Sequence, residues 1–234
     1  MSDQIEYELF SLPAALMLQH NLPDQVVTTL NDYLDTLRQD KMRESAADSL
    51  VGQIHQGEQL KMDYQDASLT PFVRIVESLS TAYLRHFVEQ TKSPLRPKKI
   101  SMDKLWSVHS FEGDYNPIHD HLTPAQMGIS FTTWTMVPEQ IGKLGEIGTG
   151  KAENYSLYND SGACDGFIAF QYGRNEIMNA ERLRPPQSIC LQPKVGRQLM
   201  FPSWAQHMVY PFFGEGERRT VAANLNCWEQ QKEK

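Results

Sequence analysis

Long apolar runs are missing from this chain. Nowhere do about 18 consecutive apolar residues occur, the length a membrane-spanning helix needs, so no membrane span is expected. Cysteine is scarce. Cys164, Cys190 and Cys227 are odd in number and show no CxxC spacing, which argues against a disulfide framework and a zinc ribbon. Unpaired thiols fit a reducing compartment. No excess of cations is present either: 22 Lys and Arg stand against 29 Asp and Glu, a formal charge of −7, so no bulk binding of nucleic acid is expected. The one basic run, KSPLRPKK (92–99), reads as a proline-stiffened linker. The opening MSDQIEYELF is acidic and has no apolar segment of a secretory leader. The Asn-x-Ser triplets at Asn154 and Asn159 therefore read as coincidental, and a soluble cytoplasmic protein is expected. Internal repeats, low-complexity tracts and a G-x-S-x-G nucleophile turn are absent as well.

What is present can build a core. The chain has 234 residues, 40% hydrophobic and 10% aromatic, which suits one large domain or a barrel with a helical extension. Two early segments carry helical periodicity. In LPDQVVTTLNDYLDTLRQ, Val26, Val27, Leu30, Tyr33, Leu34 and Leu37 recur at helical spacing behind Pro23 and Asp24. In LTPFVRIVESLSTAYLRHFVEQ, Thr70 is the expected N-cap and Pro71 the first helical residue. Phe72, Ile75, Val76, Leu79, Tyr83 and Phe87 then form its apolar face. Between them, KMRESAADSLVGQIHQGEQLKMD has weak periodicity and reads as an extended, mobile connection.

After the linker the pattern changes. ISMDKLWSV, GISFTTWTMV, GFIAFQY, QSICLQP, RQLMFP, HMVYPFF and RTVAANLNCW are short runs rich in β-branched and aromatic residues, punctuated by Gly, Pro and Asn. Many short strands suggest a sandwich or barrel. The expected organisation is a helical part over residues 1–99 packed on an antiparallel β-domain over residues 100–234.

Three histidines suggest a metal site. In YNPIHDHLTP (115–124), His119 and His121 share a face of an extended chain while Asp120 points away. The pair alone reads equally as two hydrogen-bonding loop histidines. FPSWAQHMVYPF adds His207 at the start of a strand, and ERRTVAANLN adds Arg218 and Arg219 on the last one.

In combination, IHDH (118–121), GRQLMFPSWAQH (196–207) and ERRT (217–220) resemble the Fe(II)- and 2-oxoglutarate-dependent oxygenases. The resemblance is greatest to a branch common in marine bacteria and their phages, with His-x-His where the wider family has His-x-Asp/Glu. It covers residues from about 100 to 228. It implies a mainly β fold, a double-stranded β-helix of the jelly-roll or cupin kind, and Fe(II) and 2-oxoglutarate as cofactors. His119, His121 and His207 would then hold the metal. Arg218 would grip the distal carboxylate of 2-oxoglutarate, with Thr220 adding a hydroxyl from the same face. The implied reaction is decarboxylation of the keto acid to succinate, coupled to hydroxylation of a small molecule or peptide. The alternative is a non-catalytic metal-binding β-helix with a structural or assembly role.

One position departs from the wider family: a histidine stands where its carboxylate should be, which weakens the preference for Fe(II) over Ni(II), Cu(II) or Zn(II). Asp120 is the alternative ligand should a bulge turn it inward. Arg219 reads as an exposed surface charge and His109 as a core histidine. His20, His55 and His86 read as structural or solvent-facing, and Trp106, Trp134, Trp204 and Trp228 as core. GEIGTGKA (145–152) misses a phosphate-binding loop at Ala152, where a hydroxyl should ligate Mg²⁺. It reads as a mobile lid near the barrel mouth.

Overall fold

Apolar and polar residues alternate along the last strand, β11 (Arg218–Glu229), and this alternation divides the molecule. Val221, Ala223, Leu225 and Cys227 enter a core built with helices. Arg218, Thr220 and Ala222 line a cavity on the opposite side. The computed structural model describes residues 5–12, 15–92, 97–125, 127–144, 164–171 and 188–229. GEIGTGKA, the expected lid, lies outside them, as do Asn154 and Asn159.

The strands before β11 are β1 (Glu8–Leu12), β2 (Ala15–Asn21), β3 (Glu58–Lys61), β4 (Pro97–Ser110), β5 (Asn116–His119), β6 (Met127–Met136), β7 (Ile168–Gln171), β8 (Ser188–Leu191), β9 (Arg197–Pro202) and β10 (Gln206–Val209). They form two antiparallel sheets, a large one ordered β1-β2-β9-β6-β11-β4-β3 and a small one ordered β5-β10-β7-β8. From β4 onward the chain passes repeatedly between the sheets, so paired strands, β7 and β8 apart, are distant in sequence. Met17, Trp134, Leu199 and Phe201 of the large sheet pack with Ile168 and Phe170 of the small one.

The helices α1 (Asp24–Gln39) and α2 (Thr70–Thr91) cover the outer face of the large sheet. Val27, Leu30 and Leu34 of α1 and Phe72, Val76, Leu79 and Tyr83 of α2 are buried there. Each such side chain contributes about 2 kcal/mol of transfer free energy. Tyr83 also donates its hydroxyl to the Leu16 carbonyl (2.9 Å), tying α2 to β2. Thr70 is not the cap of α2. The helix continues directly from a short turn at Ala67–Leu69, and that turn is capped by Asp66, whose carboxylate accepts from the Ser68 N–H. No helix among the described residues is long and apolar enough to cross a membrane.

The first hundred residues therefore contain strands as well as helices. β1, β2 and β3 hydrogen-bond into the same sheet as the later strands. β2 hides from a period-two reading because Met17 is buried toward the small sheet while Leu16 and Leu18 are buried toward the helices, leaving a continuous apolar run.

The connection at 41–63 is built rather than loose. Gln53 bridges to Tyr115, and β3 pairs with β4. The buried Asp114 carboxylate accepts from the N–H groups of His55 (2.7 Å), Gln56 (3.2 Å), Gly57 (3.1 Å) and Phe111 (2.9 Å). Gly57 is required by close approach, since a Cβ there would lie 1.6 Å from the His109 carbonyl oxygen.

Asp114→Ala should orphan these donors and lower the unfolding free energy by about 3 kcal/mol. Urea denaturation compared with wild type measures this, and a change under about 0.5 kcal/mol would contradict it.

Candidate metal centre

His119 ends β5, and β5 pairs antiparallel with β10 so that His207 lies directly opposite His119. His121 follows two residues later, its N–H donating to the Ser203 carbonyl at 2.8 Å. The three rings converge. Their centroids are 4.2 Å (His119 to His207), 5.1 Å (His121 to His207) and 5.3 Å (His119 to His121) apart. One ligand atom from each histidine lies within 4.8 Å of the others, a spacing that could hold a metal ion.

The hydrogen bonds fix which ring nitrogen is free. A carbonyl can only accept, so His119 donates Nδ1–H to Pro117 (2.7 Å) and His207 donates Nδ1–H to Ala205 (2.9 Å). His121 donates Nδ1–H to Asn224 Oδ1 (2.6 Å). The Ser130 hydroxyl donates to the same oxygen (2.8 Å) and lies 2.9 Å from the Ser203 hydroxyl. Each Nε2 is thereby left with its lone pair, the tautomer a metal ligand needs.

Burial lowers the pKa of all three rings below the usual 6.5, most strongly for His207, which also faces the other two imidazoles. The cluster is therefore neutral at physiological pH.

All five residues proposed from the sequence border one cavity between the sheets: His119, His121, His207, Arg218 and Thr220. Arg218 is fully enclosed. Its Nη1 donates to the carbonyls of Gly166 and Tyr210 (both 3.1 Å), and its Nη2 donates to Ser110 Oγ (3.2 Å). Its Nε has no partner among the described residues. Burial brings its pKa down to about 10, partly offset by the Asp114 carboxylate, so it remains cationic at neutral pH.

Several sequence expectations need correction. Asp120 is exposed and outside the histidine cluster, so no bulge turns it inward. Arg219 is not a surface charge: it is 3% exposed, beneath α1, paired with Glu217 (2.8 Å) and Asp35 (2.8 Å) and bonded to Asn31. Covering the sheet with α1 is what buries it. His20 is structural, as one of its two readings had it, but it lies on a strand, buried in β2, and not in a helix or loop. Trp106 and Trp134 are buried, but Trp204 and Trp228 are 53% and 37% exposed.

Asn224 and Ser130 went unnoticed in the sequence. The signal was available: in TVAANLN, Asn224 falls at an even offset from Thr220 and so shares its face.

His121→Ala should empty the site, whereas Asp120→Ala should keep most of its metal. His121→Asp should hold Fe(II) better than His121→Ala. Metal content after purification and Fe(II) titration decide this, and loss only in Asp120→Ala would overturn the assignment of the cluster. A second expectation concerns pH. These imidazoles take up protons more readily in the unfolded chain than in the fold, so the metal-free protein should lose stability as pH falls below 6.5. Urea midpoints at about pH 7.5 and about pH 5.5 should differ in that direction, and His207→Gln should reduce the difference.

A family model described as "Putative 2OG-Fe(II) oxygenase" matches residues 104–224, just over half of the chain. Among solved structures, a prolyl-4-hydroxylase from Pseudomonas putida is similar at TM-score 0.52 and 12% identity, over 92% of this chain and 93% of that one. A prolyl hydroxylase from Trichoplax adhaerens, solved with a hypoxia-inducible-factor peptide fragment, is similar at TM-score 0.54 and 14% identity, over 91% and 83%. HygX from Streptomyces hygroscopicus, solved with nickel and 2-oxoglutarate, is similar at TM-score 0.53 and 11% identity, over 90% and 82%. At these identities the structures show the fold, a double-stranded β-helix. No curated protein matches the sequence. The family match spans the elements that carry all three histidines and Arg218, and the chain belongs to the 2OG-Fe(II) oxygenases.

Proposed function

We propose that this oxygenase is a hydroxylase in which His119, His121 and His207 hold Fe(II) through Nε2 and Arg218 anchors 2-oxoglutarate. The observation that carries the reading is a fully buried guanidinium on the wall of the cavity that the histidines border, its Nε without a partner among the described residues. A buried cation is costly without a counter-charge, and a structural metal site has no use for one. A carboxylate fits the remaining N–H donors of the guanidinium fork. Thr220 offers a hydroxyl from the same wall.

When bound, the metal and keto acid supply the oxidising power for attack on an unactivated C–H bond. The chain supplies the rest. Pro117, Ala205 and Asn224 hold the imidazoles in the ligating tautomer. Trp106 closes one side of His121, with ring centroids 5.7 Å apart. A groove of about 620 Å³ opens beside His121, walled by Phe87, Leu122, Met127 and Trp204, and is the proposed approach for a small-molecule or peptide substrate. Leu122 and Trp204 are exposed there, which suits contact with an incoming ligand.

The third imidazole favours a second reading, a metal-binding β-helix without turnover, because it removes the carboxylate that biases a site toward Fe(II). Succinate formation from 2-oxoglutarate with Fe(II) and O₂, even without the substrate, separates the two. Its absence with metal and keto acid both bound would support the second.

Arg218→Ala should weaken 2-oxoglutarate binding by about 1.5–3 kcal/mol, the scale of a hydrogen bond to a charged group. Arg219→Ala should lower thermal stability and leave that affinity nearly unchanged. Calorimetric titration of 2-oxoglutarate into both metal-loaded variants tests this, and equal losses of affinity would show that the facing of β11 has been misjudged.

A further inference from the structure

Two of the three cysteines meet at a place the proposed reaction does not use. Cys164 begins the turn before β7, and Cys190 lies on β8, in register with Ala169 of β7. Both are half-buried against the same apolar cluster, whose members include Ile141, Phe167 and Phe212. Packed against that one cluster, the two thiols are near enough to perturb each other's ionisation. Cys227 is buried in the separate core under the helices.

The turn that begins at Cys164 also supports Arg218. The Cys164 carbonyl accepts from the Phe167 N–H (2.9 Å), closing the turn. Within it, the Gly166 carbonyl accepts from Arg218 Nη1 (3.1 Å). Gly166 has a positive φ of 72°, and a Cβ there would lie 2.5 Å from Ile141 Cδ1, so only glycine fits at this point of the turn. The second carbonyl on Nη1 belongs to Tyr210, whose N–H donates to Phe167 (2.9 Å). The thiol pair and the guanidinium are therefore joined through one short hydrogen-bonded segment.

We propose that Cys164 and Cys190 form an oxidisable dithiol, a modification site that hydrogen peroxide converts to a disulfide, and that this disulfide loosens the hold on Arg218. The neighbouring Cys164 thiol pulls the Cys190 pKa below its ordinary value, so Cys190 is the sulfur that attacks. Its thiolate takes one oxygen from the peroxide, giving a sulfenic acid and, after protonation, one water. The Cys164 thiol then displaces the second water and closes the S–S bond. Two thiols and one peroxide thus yield one disulfide and two waters, a two-electron exchange that a thiol reductant reverses. A disulfide holds its sulfurs about 2.0 Å apart, closer than two free thiols in contact stand. Closing the bond pulls the 164–166 turn toward β8 and draws the Gly166 carbonyl away from Arg218.

The functional half rests on the proposed role of Arg218, so the test reads the bond and the affinity separately. The full-length metal-free chain is treated with stoichiometric peroxide in chelator, and the product is mapped by peptide mass spectrometry. A Cys164–Cys190 linkage, the loss of two hydrogens and reversal by dithiothreitol are expected, with neither Cys164→Ser nor Cys190→Ser forming it. The oxidised chain, loaded with Ni(II), should bind 2-oxoglutarate about tenfold more weakly, the scale of one weakened charge-assisted hydrogen bond. Peroxide-treated Cys164→Ser should bind like the reduced wild type. Overoxidation of the cysteines without a linkage, or a linkage through Cys227, would overturn the site. A mapped Cys164–Cys190 bond with unchanged affinity would overturn its effect. If the reduced chain itself fails to bind 2-oxoglutarate, the role of Arg218 falls and the effect with it, while the mapped linkage still decides the site.

Discussion

Hydrogen bonding on both edges of β11 fixes which side chains enter the cavity. The strand pairs along its length with β4 and, from Arg219 to Cys227, with β6. In a ladder of period two, a slip of one residue exchanges the two faces completely. Arg219 would then point at the histidines and Arg218 at α1, while Thr220 and Asn224 would give way to Val221 and Leu225. The apolar set Val221, Ala223, Leu225 and Cys227 prevents this, since only one register buries it against the helices. A hydrophobic constraint on one face thus aims the polar groups on the other.

The two adjacent arginines show how differently a fold can treat the same charge. Arg219 meets Glu217 and Asp35 and is neutralised within the protein. Arg218 meets two carbonyls, one hydroxyl and the field of Asp114, but no carboxylate among the described residues touches it. Leaving a buried cation so poorly matched lowers stability. The histidine cluster has the same character, with three imidazoles kept neutral by burial and aimed at a common point. Both arrangements are unfavourable for an empty core and favourable for a ligand that brings charge with it.

Much of this architecture could be read from the sequence because it follows local rules. RQLMFP coincides with β9, and the apolar periodicity around Leu30 and Val76 marks α1 and α2. His119, His121 and His207 stood out because turn residues and strand spacing isolate them. What escaped depends on distant neighbours. β2 looked unlike a strand because helices cover one of its faces and the small sheet the other. Arg219 looked like a surface charge because its partners, Asp35 and Asn31, lie far back in the chain. Asp114 gave no sign of pinning 55–57, since that link joins two irregular segments. Trp204, read as core, is largely exposed at the rim of the groove beside His121.

The three histidines also differ in what orients them. His119 and His207 are each held by a main-chain carbonyl two residues earlier, Pro117 and Ala205. Few side-chain substitutions can remove those acceptors. His121 is held by a side chain on another strand, Asn224, itself braced by Ser130. A single codon change at Asn224 could therefore strengthen, weaken or re-aim that imidazole without touching the loop that carries it. Two of the rings are hard-wired by the backbone, and the third is open to evolutionary adjustment.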